Sequence, residues 1–476
     1  MTTTKSLKKE LFSNISKSVV AKYLLYVFQI IALAIYSRLF SPEQFGVIAV
    51  ITVFITFFVI FGESGISSAL ITRSNLTKEQ INGIFSFTVL LALLFSFLFW
   101  CFLYLLNFFY NRDDYQTIGL YGVFSVFFSV VSSVPLAALI KDKQFFELSK
   151  NTIFAELFSI IIVIVLYEKV PDMYLIGVRF GLVPIVNFML VMYSAKKTTI
   201  GMPFFGKSLS DFNLIRGFSI YVFGFNFLNY FSRNLDNILI GKYIGLVSLG
   251  LYERSYMLMK YPLQLITSAA APAIQPVVKD FSKNKDDVCD AHSFIVEKVI
   301  VLSSVISTFL YCNAEMIVSI LLGEQWREVS EIISVLAMAI PLQVATSFNG
   351  GFWQALDKTK EQFKVALFTA SVMITLIFVG AVYFKTLIIL AYLITFGLNL
   401  TCFNALYQIF RRLYSKSILY VFKLVSIGLI PFFLSVFVFE ILVRYLHVST
   451  IEKLFLTILL SFSCYGFFVI KMIKNR

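Results

Sequence analysis

Only 14% of the 476 residues are charged, and only 2 are histidine. The two histidines, His292 and His447, fall in separate gaps between apolar runs, so neither a metal cluster nor a Ser-His-Asp arrangement is legible. Five cysteines, Cys101, Cys289, Cys312, Cys402 and Cys464, are spread too widely to form a disulfide or metal framework. The chain has no G-x-x-x-x-G-K-[ST] loop, which removes an ATP-driven pump in a single chain. No gap between apolar runs is much longer than about 25 residues, too short for a folded soluble domain or a large extracytoplasmic loop holding a glycosyltransfer site.

What fills the chain is apolar surface. Hydrophobic residues make up 59%, aromatics 17%, and the mean hydropathy is +0.84, which points to lipid as the main solvent. The hydropathy profile places spans 1 to 7 at 19–39, 45–61, 84–106, 118–140, 153–167, 173–193 and 218–238. Spans 8 to 14 follow at 246–266, 294–310, 332–352, 365–384, 387–409, 421–443 and 454–470. These are lengths that cross a ~30 Å hydrocarbon layer as helices, and helix is forced because lipid cannot satisfy an unpaired backbone amide.

The 40 Lys and Arg are distributed with a period of two gaps. The two termini and every second gap hold 27 of them, whereas the intervening gaps hold 7: Arg38, Arg112, Lys169, Arg327, Lys385, Arg444 and Lys453. This asymmetry places the lysine-rich gaps and both termini on the cytoplasmic side. No small-residue cleavage site follows the first apolar run, so the basic first 17 residues are expected to be a retained cytoplasmic segment. The remaining six basic residues, Arg179, Arg233, Lys242, Arg254, Lys260 and Lys298, are not explained by this rule. Topology accounts for the net charge of +13 better than nucleic-acid binding does, and no nucleic-acid partner is expected.

The chain also repeats itself. A shift of 204 residues lays 40–47 over 244–251 and aligns Gly46 with Gly250, and a shift of 217 lays 138–143 over 355–360. Six spans separate equivalent positions, an even number, so the halves enter the membrane in the same direction and an axis along its normal relates them. The expected fold is an all-α polytopic membrane protein of about 14 transmembrane helices. It has two six-helix lobes, 1–205 and 206–412, related by a pseudo-two-fold along the membrane normal, and two additional C-terminal helices, 413–476.

Ionisable residues inside a membrane are costly and default to functional candidates. In span 7, Asn226, Asn229, Arg233 and Asp236 fall at helical spacing on one face. The 204-residue shift carries Asn226 onto Lys22 and Arg233 onto Gln29 of span 1. Span 8 adds Glu253, Tyr256, Lys260 and Gln264, with Arg254 beside them, and span 2 adds Thr52, Thr56 and Glu63. The expectation is a cavity lined by spans 1, 2, 7 and 8. Its cations Lys22, Arg233, Arg254 and Lys260 suit an anionic, phosphate-bearing substrate. Asp236, Glu253 and Glu63 are candidates for binding and releasing a proton or Na⁺. Structural roles compete with each assignment: Arg233 with Asp236, and Glu253 with Lys260, as neutralising pairs; Arg254 snorkelling; Lys22 at the cytoplasmic interface; Glu63 as a helix-end cap.

Asn349-Gly350-Gly351 in span 10 and Ser132-Ser133 with Pro135 in span 4 stand at shifted positions, as hinges in two halves would or as small residues for close helix packing. Gly241-Lys-Tyr-Ile-Gly245 carries the G-x-x-x-G spacing at a helix end.

Three segments together resemble the polysaccharide-transporter branch of the multidrug/oligosaccharidyl-lipid/polysaccharide (MOP) flippase superfamily. They are Tyr36-Ser-Arg-Leu-Phe-Ser-Pro-Glu-Gln-Phe-Gly46, Phe61-Gly-Glu-Ser-Gly-Ile-Ser-Ser-Ala-Leu-Ile-Thr-Arg73, and Ser232-Arg-Asn-Leu-Asp-Asn-Ile-Leu-Ile-Gly241 with Leu249-Gly-Leu-Tyr252. Leu321-Leu-Gly-Glu-Gln-Trp326 is similar to the segment preceding helix 10 in that family, and the resemblance runs over about residues 10 to 410. It implies a Wzx-like O-antigen, capsule or teichuronic-acid type flippase in a bacterial cytoplasmic (inner) membrane. Such a protein moves undecaprenyl-pyrophosphate-linked oligosaccharide outward by alternating access. It uses no cofactor beyond a proton or sodium gradient, and a polysaccharide polymerase and chain-length machinery are its expected partners. Arg38, Arg233 and Asp236 are carried over as matching positions, and Glu63 stands where such sequences often have an acid. A multidrug or cation antiporter of the same superfamily, or a membrane-embedded glycan polymerase or ligase, are the competing classes.

Overall fold

The structure, a computed structural model, describes residues 2–63, 65–72, 76–215, 230, 234–280, 285–446 and 450–474. Helices occupy thirteen of the fourteen expected spans, and span 7 lies largely outside the described residues. Among the described residues nine helices are long and apolar enough to cross a membrane. Two bent pairs, Asp114–Val131 with Ser133–Lys141 (42°) and Val329–Ala337 with Ile340–Ala355 (49°), raise the number to 11. The chain is a multi-pass membrane protein.

Two compact units divide it, Met1–Gly250 and Leu251–Arg476. The residues just before the division are fastened to spans 2 and 3. Tyr230 donates its hydroxyl to the Val53 carbonyl, Tyr110 donates to Ile238 O at 3.3 Å, and Lys242 donates to Phe109 O with its ammonium 4.5 Å from the Phe109 ring. Lys242 thus has a local role that topology did not supply. In the Gly241–Gly245 spacing the first glycine packs, since a Cβ there would stand 3.1 Å from Leu249 and 3.3 Å from Tyr110 and Val50, and the second turns: Ile240–Ile244 is π-helical, and Gly245, at φ +124°, ends it by donating its N–H to Ile240 O at 2.9 Å.

The start of span 2 shows how a short sequence fixes an entry point. Ser41 and Gln44 form a reciprocal capping box, Ser41 N–H donating to Gln44 Oε1 at 2.7 Å and Gln44 N–H to Ser41 Oγ at 3.4 Å. Pro42 sits at the first helical position, where its missing N–H costs nothing. Glu43 accepts from Arg112 at 2.7 Å, and Arg112 also holds Asp114 at 2.8 Å. Those bonds, the one to Asp114 foremost, hold the Arg112 guanidinium above its ordinary pKa. Gly46 then allows a backbone crossing, because a Cβ there would stand 1.9 Å from Leu246 O. At Gly250 a Cβ would stand 1.9 Å from Pro42 O. Adding 204 turns Pro42 into Leu246 and Gly46 into Gly250, so the contact is reciprocal, as a two-fold between the repeated segments requires.

The longest gap in the first unit is strapped over the start of span 3. Phe204 N–H donates to Asn82 Oδ1 at 2.9 Å, Gly206 N–H to Ser86 Oγ at 2.7 Å, and Phe212 stacks on Phe87 at 4.1 Å.

In the second unit, span 9 (helix Lys285–Cys312) presents a buried stripe of Ser303, Ser304, Ser307 and Thr308. Small hydroxylated residues let neighbouring helices approach closely in a membrane. Gly428 of span 13 meets the Ile300 carbonyl, Thr308 Oγ1 lies 2.8 Å from Tyr465 OH of span 14, and Asn313 Nδ2 donates to Thr457 Oγ1 at 3.1 Å. The two C-terminal helices are therefore packed into the second unit along span 9.

Spans 4 and 10 are both broken, but the second break is not set by Asn349-Gly350-Gly351. The 49° bend lies at Met338-Ala339, just before Pro341, and the smaller interruption at Ser347-Phe348 adjoins the glycines. Proline lacks the N–H that would meet the carbonyl four residues back, here Ala337 O, and Ser307 Oγ donates to that carbonyl instead at 2.6 Å. Pro135 plays the same part in span 4, where the 42° bend falls at Ser132. Each of the two bends falls within three residues before a proline, Pro135 or Pro341.

Candidate functional site

Among the described residues the first unit holds five of the expected site residues and the second holds three. Lys22 and Gln29 are half-buried and Arg38 exposed on the helix Thr2–Leu39, and Glu63 is the half-buried last residue of Pro42–Glu63. Asp236 is half-buried in the segment that Tyr230, Tyr110 and Lys242 fasten down, and its Oδ1 accepts the N–H of Asn237 at 2.9 Å. Arg233, Asn226 and Asn229 lie outside the described residues. In the second unit Glu253 and Arg254 are half-buried and Lys260 is exposed on the helix Leu246–Asp280. Arg254 Nη1 approaches Met257 Sδ at 3.7 Å, and the Lys260 ammonium stands 4.3 Å from the Tyr256 ring, which itself stacks on Tyr252 at 5.7 Å. Cation and aromatic face attract through the ring quadrupole without neutralising the charge, so this side chain keeps its capacity to meet an anion.

One intramembrane pair in the first unit escaped the spacing argument. Arg179 of span 6 donates Nη2–H to Glu156 Oε1 of span 5 at 2.8 Å, and the two side chains are 24% and 17% exposed. The guanidinium also lies 4.5 Å from the ring of Tyr36 of span 1, whose hydroxyl donates to Ser159 Oγ at 3.4 Å. Arg179 Nε and Glu156 Oε2 have no hydrogen-bond partner among the described residues. The pair ties three helices of the unit together at one level of the membrane. The signal in the sequence was a lone arginine in span 6 and a lone glutamate in span 5, each unexplained by topology.

His292 stands within the helix Lys285–Cys312 rather than in a gap. It is fully buried, with Nδ1 3.2 Å from Tyr414 OH, Nε2 3.2 Å from Asn349 Oδ1, and its ring stacked 3.8 Å from that of Phe352. It joins spans 9, 10 and 12 beside the lesser break of span 10. His447 lies outside the described residues.

Chemically, these residues offer cations that can hold an anion and carboxylates that can exchange a cation. The profile of the family described as "Polysaccharide biosynthesis protein" matches residues 35–331. Among curated relatives, the succinoglycan biosynthesis transport protein ExoT of Rhizobium meliloti (strain 1021) is 21% identical over 70% of this chain, a match spanning 66% of that protein, just under two thirds of its length. The teichuronic acid biosynthesis protein TuaB of Bacillus subtilis (strain 168) is 22% identical over 72% of this chain and 71% of its own. Among solved structures, the lipid II flippase MurJ in an inward closed conformation is similar with a TM-score of 0.74, 15% identity, and coverage of 96% of this chain and 99% of that one. An inward-facing multidrug resistance transporter of the MATE family of the MOP superfamily follows with a TM-score of 0.65, 13% identity, and coverage of 84% and 96%. At these identities the likeness shows the fold alone, and that fold agrees with the MOP resemblance read from the sequence.

Proposed function

Because this chain belongs to the polysaccharide biosynthesis protein family, we propose that it is a flippase for undecaprenyl-pyrophosphate-linked oligosaccharide, the repeat unit of an O-antigen, capsule or similar surface polysaccharide. It carries this substrate from the cytoplasmic to the outer leaflet of the bacterial inner membrane by alternating access, with both termini cytoplasmic. What supports the substrate class is the run of cations that the sequence places in and beside spans 1, 7 and 8: Lys22, Arg38, Arg233, Arg254 and Lys260. A guanidinium or ammonium beside a low-dielectric cavity holds a pyrophosphate by charge-assisted hydrogen bonds, while the lipid tail stays in the bilayer. The relatives support the reading: two are a succinoglycan biosynthesis transport protein and a teichuronic acid biosynthesis protein, and the structural neighbour MurJ is a lipid II flippase. Asp236, Glu253 and Glu63 are the candidates for coupling to a proton or Na⁺ gradient.

A multidrug or cation antiporter is disfavoured by the same set, since an acidic, aromatic cavity would suit a cation and the candidate residues include five cations against three carboxylates. Arg233→Gln removes a charge-assisted contact of about 1.5–3 kcal/mol. Transport is expected to fall by roughly tenfold or more, with expression unchanged; an unaltered rate would make Arg233 structural. Deletion of the encoding gene tests the function in cells. Lipid-linked oligosaccharide should accumulate in the cytoplasmic leaflet and surface polymer should disappear, whereas normal polymer without accumulation would end the flippase reading.

A further inference from the structure

In the second unit the ends of spans 9 and 13 and the starts of spans 10, 12 and 14 surround an open cavity of 770 Å³. This is the end of the unit that carries Arg327 and Lys453, away from Lys358, Lys364 and Arg411. The volume lies in the ~300–1,000 Å³ range of small-ligand sites. Aromatic side chains and carboxylates both line it. Tyr311, Tyr392 and Phe439 supply the rings, and Tyr392 is 55% exposed. Glu440 and Tyr311 both line the cavity. Glu315 is engaged by Arg327 at 3.1 Å and Lys453 at 3.9 Å, which leaves Glu328, Glu331 and Glu440 to set the charge of the groove. Asn313 adds an independent sign of a missing partner. It is 3% exposed and lines the cavity, and while its Nδ2 donates to Phe309 O and Thr457 Oγ1, its Oδ1 has no hydrogen-bond partner among the described residues.

We propose that this groove binds the sugar portion of the translocated glycan, a neutral or amino-bearing oligosaccharide of two or three units, at the face opposite the lysine-rich one; the identity of the glycan rests on the flippase reading and its orientation. A pyranose has an apolar C–H face that covers an aromatic ring and an equatorial rim of hydroxyls that donate to carboxylates and to an amide oxygen. The excess of carboxylates repels uronates. Among the described residues no three acidic, His or Cys groups converge as a metal site would require.

The full-length chain in nanodiscs is titrated with maltotriose, N,N′-diacetylchitobiose and trigalacturonate, followed by saturation-transfer NMR. A neutral sugar is expected to bind saturably, trigalacturonate is not, and Tyr392→Ala and Glu440→Gln are each expected to weaken binding by about tenfold at unchanged thermal midpoint. Absence of saturable binding by both neutral sugars, or wild-type binding in both variants, overturns the groove. Transport of lipid-linked oligosaccharide by the same preparation separates the two readings. Transport without sugar binding removes the groove alone, and sugar binding by a preparation that transports nothing removes the flippase reading alone.

Discussion

Glu156→Gln is expected to lower the thermal midpoint of the purified protein sharply and to cut its membrane yield several-fold. Arg179 would then keep its charge between spans 5 and 6 with no carboxylate at 2.8 Å to meet it. Breaking a buried ion pair on one side costs on the order of 3–5 kcal/mol, while replacing both partners by apolar groups of similar volume is close to neutral. Arg179→Met combined with Glu156→Leu should therefore recover most of the loss that either single change causes. Equal midpoints for Glu156→Gln and the wild type would show that solvent or lipid headgroups already screen the pair. Recovery of stability but not of transport in the double variant would move the pair from scaffold to mechanism.

The second large effect is expected at the glycine crossing. Gly46→Ala places a methyl group against the Leu246 carbonyl, and Gly250→Ala places one against the Pro42 carbonyl, each at 1.9 Å from backbone that no rotamer change can move. Overpacking costs about 1–3 kcal/mol where side chains can adjust, and a backbone clash belongs at the upper end. Since the two contacts are the same crossing seen from either side, the double variant should cost less than the sum of the singles, because the displacement caused by the first makes room for the second. Gly466→Ala is the control, with nothing within 4 Å of its Cβ, and should be neutral or gain up to about 1 kcal/mol in helix propensity. Thermal unfolding of the four proteins checks the series, and strict additivity of the Gly46 and Gly250 losses would argue against a shared crossing.

Much of the fold was legible because lipid imposes a one-dimensional code. A run of apolar residues long enough to cross the hydrocarbon must be a helix, and the Lys and Arg gaps alternate with those runs; neither inference needs a tertiary contact. The repeat was legible too, and the alignment of Gly46 with Gly250 has a physical basis in their reciprocal backbone contact. What the residue pattern did not give were relations between helices. Glu156 and Arg179 lie 23 residues apart on different spans, so no i, i+3 or i, i+4 spacing marks them. Asn349-Gly350-Gly351 suggested either a hinge or close packing, whereas the 49° bend of span 10 lies just before Pro341, where Ser307 of another helix donates to the Ala337 carbonyl. His292, placed in a gap by hydropathy, is enclosed by spans 9, 10 and 12, since a polar ring can be buried once Tyr414 and Asn349 satisfy both nitrogens. The hydrogen bonds that fasten the segment carrying Asp236 to spans 2 and 3 also join residues more than a hundred positions apart.

The central claim is that the chain itself carries lipid-linked oligosaccharide across a bilayer. The most direct test reconstitutes the purified protein into liposomes with fluorescent undecaprenyl-pyrophosphate-linked oligosaccharide in both leaflets and follows the fraction that a membrane-impermeant sugar-oxidising reagent can reach. The label in protein-free vesicles should stay divided between the leaflets. With the wild-type chain the protected fraction should become reachable within minutes, and Arg233→Gln should slow that exchange by about tenfold. A correctly folded wild-type preparation that leaves the inner-leaflet label protected would contradict the account.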